Sequence, residues 1–129
     1  MQKRKNSLSQ NFVKKGYIIS KIESAKDFNR IENEVFKTIK NHLKIKKNLR
    51  KDNLFNNLHH HLNIKELNRL RVKIYRNLNS KDWFKEAYFS LASNTINNIV
   101  GNELAMQNSI NFSIQMPKDE TSKLELHAD

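Results

Sequence analysis

Apolar residues recur along this chain with two different periods. Phe28, Ile31, Val35, Ile39 and Leu43 fall at helical spacing. Ser24 and Asp27 stand ahead of them in the positions of a capping box. The pattern predicts an amphipathic helix of about five turns. Leu54, Phe55, Leu58 and Leu62 form a further apolar set. Asn63 to Glu66 reads as a second cap, and Leu67, Leu70, Ile74 and Leu78 predict the helix behind it. Asn79-Ser80 interrupts that helix. Ser80 is then expected to cap a third one, with Trp83, Phe84, Ala87, Tyr88, Leu91, Ile96, Ile99 and Val100 on its apolar side and Gly101 as its stop.

The other period is two. Gly16 breaks the short apolar patch at Phe12-Val13 and permits a change of direction, after which YIISKI (17–22) reads as a short strand. Ile110, Phe112, Ile114 and Met116 alternate with Asn111, Ser113 and Gln115, which predicts a strand with one apolar and one polar face. Pro117 ends it, Lys118 to Thr121 reads as a loop, and Leu124 and Leu126 alternate with Lys123, Glu125 and His127 as a second strand. Residues 24–100 are thus expected to be mostly helical, and 107–129 to be strands.

Composition narrows the classes. At 129 residues the chain is expected to make one small domain. Its mean hydropathy of −0.79 is polar, but the apolar residues are too well patterned for a disordered chain. The lack of cysteine excludes disulfides, thiolate zinc sites and thiol nucleophiles. No apolar run approaches a membrane span, and no secretory signal precedes Phe12, so a soluble cytoplasmic protein is expected. Phosphate-binding glycine loops, a nucleophile elbow and a dinucleotide fingerprint are also missing.

The net charge is +11, and residues 1–100 hold 22 basic against 8 acidic side chains. The densest run, Lys44 to Lys51, offers Lys46, Lys47 and Arg50 to phosphates, so a basic helical nucleic-acid-binding or interaction module is the alternative reading. Compositional bias is preferred to it, because Lys, Asn and Ile are abundant together throughout, as in AT-rich coding sequence. His59-His60-His61 is set aside as a metal site, since neighbours on a helix point about 100° apart.

The sharpest chemical signal is His127-Ala128-Asp129. In a strand the two outer side chains face the same way, so an imidazole and a carboxylate can reach one divalent metal. Two His and one carboxylate make the facial triad of non-haem Fe(II) oxygenases. Asn111, Ser113, Gln115 and His127 either line a cavity beside that metal or face water.

With the stretch NFSIQMPKD (111–119) and then LHAD (126–129), the chain resembles the region around the first metal-binding motif of Fe(II)/2-oxoglutarate-dependent oxygenases. It is most similar to the phytanoyl-CoA-hydroxylase-like group, and within it to oxygenases of carbohydrate and polysaccharide biosynthesis clusters. FVKKGYIIS (12–20) resembles the opening segment of that group. The resemblance implies an α+β fold: about three main helices, then the first strands of an incomplete double-stranded β-helix, or jelly roll. It implies the N-terminal part of a dioxygenase that couples oxidation of a small organic, carbohydrate-related substrate by O2 to decarboxylation of 2-oxoglutarate. His127 and Asp129 would each ligate Fe(II), and Gln115 would lie at the cofactor. The distal His and the basic residue that holds 2-oxoglutarate in this family have no counterpart in these 129 residues. A truncated, marginally stable piece of a longer oxygenase is therefore expected.

Overall fold

A computed structural model describes residues 7–100 and 104–120. Among them the chain forms α1 (Leu8–Lys15), α2 (Ala25–His42), α3 (Lys51–Asn56), a 3-10 turn at Leu58–His60, α4 (Ile64–Asn79), α5 (Phe84–Ser90) and α6 (Ser93–Val100). It forms no strand among the described residues. The expected α+β fold with jelly-roll strands is thereby corrected to an all-helical one. A strand exists only through a ladder to another strand. Residues 17–22 and 110–116 make no such ladder, so they remain irregular or extended chain. The expected strand around Leu124 and Leu126 lies outside the described residues.

The chain divides into two compact units, 1–32 with 82–109, and 33–81 with 110–129. In the first unit α1 starts at a capping box: the Ser7 hydroxyl accepts from the Gln10 amide, and the Gln10 side chain accepts from the Ser7 amide. Gly16 ends α1 at φ 78°, a left-handed value that glycine takes without a Cβ clash. α1 packs against α6. The predicted third helix is two helices, α5 and α6, with a break at Leu91-Ala92. Glu23 stands at the break. Its amide donates to the Leu91 carbonyl, and its carboxylate accepts from the amides of Asn94 and Thr95 at 2.8 and 2.9 Å, which supplies α6 with a cap from outside its own sequence. Ser80 is not the cap of this region; it closes α4, its hydroxyl donating to the Asn77 carbonyl. Phe84 and Ala87 are the buried apolar residues described in this unit, while Val13 and Ile19 stay 82% and 88% exposed.

The second unit holds most of the core. Leu67, Leu70 and Ile74 of α4 are completely buried, with Ile39, Leu54 and Leu78 at 1% exposure. Burying each such side chain stabilises the fold by about 1.5–3 kcal/mol before chain entropy is counted. α4 begins as its sequence predicts: the Asn63 side chain accepts from the Glu66 amide, and Glu66 accepts from the Asn63 amide. α2 also matches its predicted span, with Ser24 accepting from the Asp27 amide at 3.3 Å. Past His42 it closes on Lys44 at φ 54°, and the Ile45 amide reaches back to the Lys40 carbonyl. That is a Schellman closure with lysine where glycine is usual. Phe36 meets Phe55 edge to face, ring centres 6.1 Å apart. No described helix is long and apolar enough to cross a membrane.

Candidate functional site

The segment leading toward the candidate metal pair is extended but is held by side chains rather than by a ladder. Asn79, the last residue of α4, acts as a substitute strand edge. Its side-chain amide donates to the Ile110 carbonyl at 2.9 Å and its side-chain oxygen accepts from the Ile110 amide at 2.8 Å. Two turns earlier, Arg71 donates through Nε to the Ile114 carbonyl at 2.8 Å, and through Nη2 to the same carbonyl and to Asp119. The spacing explains the fit. Eight residues of helix at 1.5 Å each and four of extended chain at about 3.3 Å each both cover roughly 12–13 Å. The segment therefore runs antiparallel to α4, with its carbonyls in reach of two side chains that lie eight residues apart.

The predicted alternation survives without the predicted strand. Ile110, Phe112, Ile114 and Met116 are partly covered, and Asn111, Ser113 and Gln115 are exposed. At 116–119 the chain turns, the Asp119 amide donating to the Met116 carbonyl, with Pro117 second and Lys118 third at φ 64°. Pro followed by a positive φ is the pattern of a type II turn. The turn buries Asp119, whose side chain is 2% exposed, against Arg71 at 3.2 Å. A carboxylate so buried requires a cation and hydrogen bonds to remain charged.

Of the site residues expected from sequence, Gln115 lies exposed on the outer side of this segment. His127 and Asp129 lie outside the described residues. Their donor chemistry, one imidazole nitrogen and one carboxylate oxygen, suits two of the three protein ligands of a non-haem Fe(II) centre. Among the described residues no three His, Asp or Glu side chains gather in metal-binding range. His59 and His60 lie ring to ring, centres 4.0 Å apart, in the 3-10 turn. Lys46, Lys47 and Arg50 sit exposed in the loop between α2 and α3, and Arg50 meets Asp52 at 3.4 Å in full solvent.

Three carboxylates take partners distant in the chain that have no signal in the sequence. Within the second unit Asn77 donates to both Glu34 and Thr38, at 2.7 and 2.8 Å, and Lys81 approaches Glu34 at 3.4 Å. The Asn77 hydrogen bond, first, and Lys81 hold the Glu34 carboxyl below the usual carboxylate range. In the first unit the Thr95 hydroxyl, then the amides of Asn94 and Thr95, hold Glu23 below that range. Ser90 and Ser24 do the same for Asp27. All three are structural carboxylates with local partners. Arg71, Asn79 and Asp119 were equally hidden: Asn79 reads as a helix interruption and Asp119 as loop, and only the return of the chain to α4 pairs them.

Compared with known proteins, the chain matches no family model, no curated protein and no solved structure.

Proposed function

We propose that this chain is the N-terminal portion of a cytoplasmic non-haem Fe(II)/2-oxoglutarate-dependent dioxygenase that oxidises a small organic, carbohydrate-related substrate with O2. The observation that carries the reading is the His127-x-Asp129 pair following an extended segment of strict polar–apolar alternation. His127 and Asp129 supply two ligands, a neutral nitrogen and an anionic oxygen, and Gln115 is assigned to the cofactor's surroundings. When bound, Fe(II) and 2-oxoglutarate supply O2 activation coupled to oxidative decarboxylation. The chain's own described contribution is positional. The Asn79 and Arg71 contacts fix residues 110–114 on α4, and the Arg71–Asp119 pair fixes the turn beyond them. The exposed polar positions Asn111, Ser113 and Gln115 are then free to face a substrate or cofactor.

The test is iron-directed cleavage. Purified chain is incubated with Fe(II), ascorbate and O2, and the new fragment ends are mapped by mass spectrometry. Backbone scission concentrated around residues 127–129, and abolished by His127→Ala, is the expected result. Scission elsewhere, or an unchanged pattern in the His127→Ala protein, would sink the assignment. Two ligands are one short of the three protein ligands of such a centre, so iron is held weakly. No succinate release from 2-oxoglutarate is therefore expected from residues 1–129 by themselves.

A further inference from the structure

Most of the chain's positive charge belongs to one stretch of the second unit. Residues 33–81 hold 13 Lys and Arg against three Asp and Glu. On α4 the placement is sharper than composition requires. At about 100° per residue, Lys65, Arg69, Lys73 and Arg76 fall within an arc of about 80°. No other residue of α4 falls in that arc, so every position there is basic. The buried face, Leu67, Leu70, Ile74 and Leu78, lies opposite. All four cations are exposed. None has a carboxylate within ion-pair distance among the described residues, whereas Arg50, Arg71 and Lys81 of this unit do. Like charges at i and i+4 repel along a helix, so the ridge works against the helix that carries it. Lys73 also borders a polar cleft of about 290 Å³ whose lining holds Lys37 of α2, together with Lys81 and the Glu34 carboxylate that pairs with it.

We infer that this ridge binds the phosphate backbone of duplex nucleic acid, without reading bases. From Lys65 to Arg76 the ridge rises about 16 Å. Each of the four cations can meet one phosphate of a duplex backbone, so the ridge supplies at most four such contacts. The arc contains no aromatic, amide or carboxylate side chain to contact base edges, so the contacts are of the positioning kind. The loop run at Lys46, Lys47 and Arg50 lies between α2 and α3, outside α4, and serves as the comparison set. The proposal is independent of the oxygenase reading, which rests on residues 127–129.

The experiment is fluorescence anisotropy with the whole chain and a mixed-sequence DNA duplex, across salt from about 50 to 200 mM. Four phosphate contacts give a log–log slope near −3.6, or roughly 150-fold weaker binding over that range. Lys65→Gln/Arg69→Gln/Lys73→Gln/Arg76→Gln should flatten the slope to about −1 or less, while Lys46→Gln/Lys47→Gln/Arg50→Gln should leave it near −3.6. Circular dichroism should show the ridge variant folded, with an unchanged or higher midpoint because repulsion is relieved. If that variant fails to fold, Arg69→Gln and Lys73→Gln singly should each reduce the slope by about one. Failure to bind duplex at about 50 mM salt, loss of the slope with the loop variant instead, or strong preference for one base sequence overturns the proposal. So does ridge-dependent binding to anionic phosphatidylserine vesicles that duplex DNA does not compete away.

Discussion

Replacing Asp119 by alanine tests how the segment ahead of the candidate metal pair is held. The carboxylate is 2% exposed and lies 3.2 Å from an Arg71 guanidinium that is itself 16% exposed. At that distance and an effective dielectric of about 20, the attraction is about 5 kcal/mol, much of it offset by the cost of taking both ions out of water. Removing one partner leaves the other charge buried, which costs about 3–5 kcal/mol. Arg71 keeps the Ile114 carbonyl and the Asn68 side chain as acceptors. The lower end, about 3 kcal/mol, is therefore expected for Asp119→Ala. The assay is urea unfolding followed by far-UV circular dichroism, with limited proteolysis across 107–119 as a second readout. The double variant Arg71→Leu/Asp119→Leu removes both charges together and should cost much less, because no desolvated ion is left behind. A shift under about 0.5 kcal/mol for Asp119→Ala, or a double variant as damaged as the single one, would refute the ion pair as the clasp.

Three further outcomes follow from the same structure. Lys44→Gly should raise stability by about 1 kcal/mol in urea unfolding, since Lys44 holds φ 54° at the end of α2 and glycine takes that angle without the steric cost. Leu70→Ala should lower stability by roughly 2–5 kcal/mol, because Leu70 is fully buried in α4 and its loss leaves a cavity. Glu23, Asp27 and Glu34 are all held below the usual carboxylate range, so their contribution is complete above about pH 5 and is lost as pH falls through their folded-state values. Acid unfolding followed by circular dichroism should therefore be shallower in Glu23→Gln, which keeps the shape of the α6 cap without its titration.

The local elements were written in the sequence because each depends on neighbours a few residues away. Helical spacing marked the buried stripe of α4, and the Asn63–Glu66 cap marked its start within one turn. α2 was equally plain, from Ser24 onward. The polar–apolar alternation of 110–116 was legible too, and burial follows it residue by residue. What the sequence could not decide was the partner. An alternating segment is a strand only when another backbone runs beside it, and here Asn79 and Arg71 of a helix take that place. The same holds for the break between α5 and α6, whose apolar pattern reads as one helix until Glu23, some 70 residues earlier, caps the second half. Charge followed the same rule. The run at 44–51 stands out in a linear reading, whereas Lys65, Arg69, Lys73 and Arg76 are spread through other residues and meet only on the surface of a wound helix. Periodicity specifies which face is apolar; only the folded chain determines what meets that face, and which distant side chains satisfy its backbone.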